Sequence, residues 1–192
     1  MKRIAICGNI ASGKSTVQRI IEEFGYKVLD TDDVAHELLT VKNQKLFDTF
    51  KNLDVFENGE FSRTKLGKIV FSDIQLKEKL EKVLHPQIRQ KIVEFFSLNN
   101  DEKILFVGIP LLFESNMTDL FDAIIFIYTD DDIRLKRLLK RNAYTLEHAK
   151  ARINSQMTQE RKAQNSDYIL YNNGNIEELN LRVKNMLCHI IS

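Results

Sequence analysis

The 192-residue chain has only two cysteines, Cys7 and Cys188, near opposite ends and with no CxxC or other metal-ligand spacing. That excludes a disulfide framework and a cysteine-built metal site, and leaves two buried, reduced thiols as the expectation. No stretch approaches the ~20 apolar residues that a membrane helix requires. The opening MKRIAICGNIASGKS is basic and then apolar, but glycine, serine and lysine break the apolar run after Ile10, too early for an export signal. Excess charge of one sign is also missing: 28 basic and 27 acidic residues leave a net charge of +1. A nucleic-acid binder usually carries a larger basic surplus. Repeats, low-complexity runs and linkers are absent. The expectation is a cytoplasmic protein, monomeric, with no membrane or nucleic-acid partner.

What is present suits one α/β domain with small inserted subdomains. Apolar, β-rich runs at 3–7, 26–30, 104–109, 123–129 and 167–173 read as buried strands. Helical spacing marks 14–25, 32–39, 130–142 and 175–191 between them. Strands that are apolar throughout and alternate with helices imply a parallel sheet covered on both faces. The block at about 42–100 reads as helical, interrupted near Pro86. The expected fold is therefore α/β: a five-stranded parallel sheet with helices on both faces, an inserted helical subdomain at about 41–100 and a lid at about 131–159. The core takes about 1–40, 101–130 and 160–192.

Residues 8–15, Gly8-Asn9-Ile10-Ala11-Ser12-Gly13-Lys14-Ser15, fit G-x-x-x-x-G-K-[ST], followed by Thr16. Four fixed positions coincide by chance in such a chain roughly 1% of the time or less, and here they follow a strand and open a helix. Backbone amides of the loop and the positive helix end face an anion. Lys14 supplies charge for the β- and γ-phosphates, and the Ser15 hydroxyl is a ligand for Mg²⁺. A loop of this kind serves kinases, GTPases and motor ATPases; no guanine-reading N-K-x-D string accompanies it.

Asp30 and Asp32 follow at the end of the second strand. An extended chain points i and i+2 to the same side, and the carboxyl end of a parallel strand faces the ligand crevice. One carboxylate can then take a proton from an acceptor hydroxyl or order Mg²⁺. A helix-capping role is the plainer alternative. Arg134, Arg137 and Arg141 crowd one helix; Arg137 and Arg141, four apart, share a face.

The ordered set of the phosphate loop, LDTDDVAHEL, FSRTKLGKIVF, LHPQIR, IPLLFES and RLKRLLKRN…AKARINSQM resembles the dephospho-coenzyme A kinase family over about residues 3–187. The resemblance implies a nucleoside monophosphate kinase-like P-loop fold, ATP and Mg²⁺ as requirements, and phosphorylation of the ribose 3′-hydroxyl of dephospho-CoA. It makes Asp32 the general base and Asp30 its companion, with Thr31 between them where alanine is usual. It places His85, Pro86 and Leu111, Leu112, Phe113 and Glu114 beside the acceptor. Arg63 either positions the acceptor or bridges helices. Arg137 and Arg141 become lid arginines over ATP, and Asn173 lies near the adenine. Asn9 and Ala11 stand where the family usually has glycines, which matters only where φ is positive or the phosphate approaches closely. Gly108 stands where many members carry an acid or a valine, shifting more of the Mg²⁺ task to Ser15 and Asp32. Another small-molecule or nucleotide kinase, and a non-catalytic nucleotide switch, are the competing readings.

Overall fold

A computed structural model describes residues 1–40, 43–57, 60–142 and 144–191, without the side chains of residues 60, 61, 63, 71, 72 and 142. The chain forms two compact units, Met1–Asp30 with Asn99–Ser192, and Thr31–Leu98.

The first unit is built on five strands, β1 (Lys2–Gly8), β2 (Val28–Asp30), β5 (Ile104–Gly108), β6 (Ala123–Tyr128) and β7 (Tyr168–Tyr171). All pair in parallel, in the order β2-β5-β1-β6-β7. The expected five-stranded parallel sheet is thus present. β1 lies at its centre because Ile4 to Cys7 bury both faces completely. Helices α1 (Lys14–Glu23) and α9 (Ile176–Ile191) pack apolar stripes on the sheet: Val17, Ile20 and Ile21 from one, Leu179, Val183, Leu187 and Ile190 from the other. Gly25, at φ +88°, ends α1 in the left-handed conformation that favours glycine. Cys7 is buried, and burial pushes its thiol up to about 12. Cys188 is exposed, contrary to expectation: it follows Leu187 by one residue and so falls off the buried stripe of α9.

Helix α6 (Asp131–Asn142) follows β6 as predicted. Two further helices, α7 (Leu146–Asn154) and α8 (Gln159–Gln164), lie where the sequence periodicity marks none. Each starts at a threonine whose side chain accepts from a first-turn amide, Thr145 from His148 and Thr158 from Arg161.

The second unit holds α2 (Thr31–Thr40), α3 (Gln44–Phe50), α4 (Arg63–Ser72) and α5 (Ile74–Leu98). It also contains a hairpin, β3 (Phe56–Glu57) and β4 (Glu60–Phe61), in a stretch read as helical. The expected interruption at Pro86 does not occur. Proline removes one backbone bond, but Leu84, Ile88, Ile92 and Phe96 bury one continuous face of α5 across it.

Candidate active site

The phosphate loop leaves β1 at Gly8 and enters α1 at Lys14. Two glycine requirements define its shape. Gly13 lies at φ +93°, and a Cβ there would collide with the Asn172 amide nitrogen. A Cβ on Gly8 would meet the Ser12 hydroxyl. No side chain caps the first turn of α1, so the positive helix end addresses whatever the loop encloses.

Lys14 carries the main charge. Its ammonium donates to both carboxylate oxygens of Asp30, each at 3.0 Å, and to Oε1 of Gln18 at 3.1 Å. Lys14 is 8% exposed and Gln18 5%. Asp30 reaches this place because β2 ends there, level with Gly108 of β5 in the sheet register. Ser15, one residue past the lysine, is exposed.

The loop is braced from the far end of the sequence. The Ser12 carbonyl accepts from Thr129 Oγ1 (3.0 Å), Asn172 Nδ2 (2.7 Å) and an Arg137 guanidinium nitrogen (3.4 Å). Arg137 also donates to the Asn172 carbonyl at 3.1 Å. Arg134, only 1% exposed, donates through Nε to the Ile10 carbonyl at 3.0 Å and pairs with Asp131 at 2.7 Å. Burial lowers the pKa of both arginines, and Asp131 partly offsets this for Arg134. Both guanidinium groups stay charged regardless. The Ile10 amide donates to Gln156 Oε1 at 2.7 Å, and Asn9 Nδ2 donates to the Met157 carbonyl at 2.9 Å.

These contacts resolve the two departures from glycine. Asn9 is not among the positive-φ residues, and its side chain ties the loop to the segment between α7 and α8. Ala11 does take the left-handed conformation, φ 63°. For a residue with a Cβ that costs about 1–2 kcal/mol. Ala11→Gly relieves it but enlarges the unfolded chain's freedom by about 0.5–1 kcal/mol. A net gain of up to about 1.5 kcal/mol is expected, read as a higher urea midpoint at unchanged slope. A fall in the midpoint would refute the strain.

The family model for dephospho-CoA kinase matches residues 2–178. The chain belongs to that family. It is 40% identical over 191 residues to a dephospho-CoA kinase of Carboxydothermus hydrogenoformans, covering 96% of this chain and 92% of the relative. Among solved structures it resembles a Thermus thermophilus protein (32% identity, TM-score 0.85, 98% and 97% of the two chains). It also resembles the dephospho-CoA kinase of Campylobacter jejuni (33% identity, TM-score 0.73, 98% and 96%).

Asp32 is exposed and lies in the first turn of α2, which starts at Thr31. The i, i+2 argument for Asp30 and Asp32 is therefore corrected: the first is in a strand and the second in a helix, so strand alternation does not relate them. His85 is half-buried on α5, and burial lowers its pKa, offset in part by Glu81. Pro86 beside it is exposed. Arg63 opens α4, and its side chain lies outside the described residues. Leu112 is fully buried, flanked by partly buried Leu111 and Phe113. Glu114 pairs with the wholly buried Lys162 at 2.8 Å and accepts from the Met157 amide at 3.3 Å. Asn173 accepts from the Asp130 amide at 3.0 Å, fixing the turn into α6. Arg141 is exposed at the end of α6.

Gln18, Thr129, Gln156, Lys162 and Asn172 escaped the sequence reading. Only Gln18 left a local signal, its i, i+4 spacing from Lys14.

Proposed function

We propose that this dephospho-CoA kinase family member transfers the γ-phosphoryl group of ATP to the ribose 3′-hydroxyl of dephospho-CoA, giving CoA and ADP, as a cytoplasmic monomer. The observation that carries the reading is the Lys14 ammonium held at the carboxyl end of the sheet by Asp30, inside a loop shaped by Gly8 and Gly13. In this reading residues Gly8 to Thr16 enclose the triphosphate. Lys14 turns toward the β- and γ-phosphate oxygens, and Arg137 and Arg141 meet the charge spread over the transferring group. Asp32 accepts the 3′-hydroxyl proton. The 3′-oxygen bonds to the γ-phosphorus, the bond from that phosphorus to the bridging oxygen breaks, ADP leaves, and Asp32 returns the proton to solvent. Arg63, His85, Pro86 and the 111–114 segment take the acceptor, and Asn173 the adenine side.

The donor set suits Mg²⁺. Ser15 offers an exposed hydroxyl and Asp32 a carboxylate, both hard oxygen ligands. Among the described residues no group of three or more His, Cys, Asp or Glu side chains cages an ion. That fits a cation which keeps waters and takes phosphate oxygens, as Mg²⁺ prefers. When bound, it neutralises charge between the β- and γ-phosphates. Among the described residues no helix is long and apolar enough to cross a membrane.

The test is coupled ADP release with ATP–Mg²⁺ and a panel of acceptors: dephospho-CoA, adenosine, AMP and simple sugar alcohols. Stimulation by dephospho-CoA alone is expected. Equal stimulation by another nucleotide would move the reading to a different small kinase.

A further inference from the structure

Gly108 ends β5 inside the sheet, between Ile6 of β1 and Asp30 of β2. Its φ is not in the left-handed range, so the backbone does not demand glycine. Glycine inside a strand also weakens it, which marks a place where another group comes close. That group is Gln18. A Cβ on Gly108 would collide with the Gln18 amide nitrogen and would sit 2.7 Å from its amide carbon. The buried amide therefore rests on bare backbone, in space that any side chain at 108 would claim. From that seat its carbonyl oxygen accepts from the Lys14 ammonium at 3.1 Å.

We propose that Gln18, seated on Gly108, is a positioning residue that holds the Lys14 ammonium for phosphoryl transfer. The proposal rests on the kinase reading above. A lysine ammonium is a compact charge on a flexible stem with three donors and no preferred direction. Asp30 accepts from one side of it. Gln18 supplies an acceptor from α1 itself, so the ammonium is held between helix and sheet. Because this acceptor is neutral, it adds direction without adding negative charge where a polyphosphate arrives. Gly108 contributes to this seat by lacking a side chain.

Gln18→Met keeps the length and removes the acceptor; Gly108→Ala pushes the amide off its seat. Each is expected to weaken ATP binding, measured by calorimetry without acceptor, by about tenfold, the scale of one hydrogen bond to a charged group. Each should also lower kcat by about tenfold and leave the KM for dephospho-CoA unchanged. In a Lys14→Met background either change should cost less than about twofold, since the residue acts through the lysine. Equal losses with and without Lys14, or wild-type ATP affinity in Gln18→Met, would overturn the proposal. If Gln18→Met does not fold, Gly108→Ala completes the same cycle. ATP affinity reads this pair whether or not dephospho-CoA is the acceptor, so a wrong acceptor and a wrong role for Gln18 give different results.

Discussion

Asp32→Asn is expected to lower turnover by about 10²–10⁴ while ATP affinity stays near wild type. The side chain is exposed in the first turn of α2, and asparagine keeps its size and much of its hydrogen bonding while losing the ability to accept a proton. A base acts only in the chemical step, so the loss should fall on kcat rather than on nucleotide binding. The same residue sits where an acid favours the helix dipole, an effect of about 0.3–1 kcal/mol on stability. The two roles separate cleanly. A dipole role lowers the melting midpoint slightly and spares turnover. Single-turnover ADP formation with saturating dephospho-CoA measures the chemistry directly. Near-wild-type rates would remove Asp32 as the base.

The second large effect is expected away from the phosphates. Glu114→Ala should destabilise the fold by about 3–5 kcal/mol, because it removes the counter-charge of a buried ammonium whose other acceptor is the Pro110 carbonyl at 3.4 Å. Lys162 is 0% exposed, whereas the Glu114 side chain keeps 26% of its surface open to solvent. That asymmetry predicts an order: Lys162→Met leaves a carboxylate that water still reaches, and costs about 1–3 kcal/mol. The double change Glu114→Ala with Lys162→Met should recover much of the loss from Glu114→Ala alone. Urea midpoints at constant slope check all three. The pair also bears on function. Glu114 accepts from the Met157 amide, and the Met157 carbonyl accepts from Asn9 in the phosphate loop. A residue that the family resemblance places beside the acceptor thus anchors the strut behind the phosphate loop. If Glu114→Ala leaves stability intact and raises only the KM for dephospho-CoA, the acceptor contact is its main role and the buried pair is not structural.

Much of this was legible in the chain because it depends on neighbours in sequence. Gly8, Gly13, Lys14 and Ser15 stand at fixed offsets, and a strand before them with a helix after them needs only hydrophobic period and a left-handed glycine. The apolar runs of β1, β5 and β6 announced a parallel sheet, since only strands buried on both faces read that way. Even so, Pro86 misled the reading of α5, and the start of α2 at Thr31 undid the strand argument for Asp32. Both errors come from local rules that packing overrode.

The sequence by itself determined the phosphate loop, the α/β class and, through its motif order, the dephospho-CoA kinase family. Tertiary structure alone decided the strand order β2-β5-β1-β6-β7 and the partners that brace the loop. Ser12 meets Asn172, Ile10 meets Arg134 and Gln156, and Gln18 rests on Gly108. Periodicity tells which face of an element is buried. It carries no label for the residue on the other side, and these partners lie scores of positions away, joined only when the sheet closes around β1.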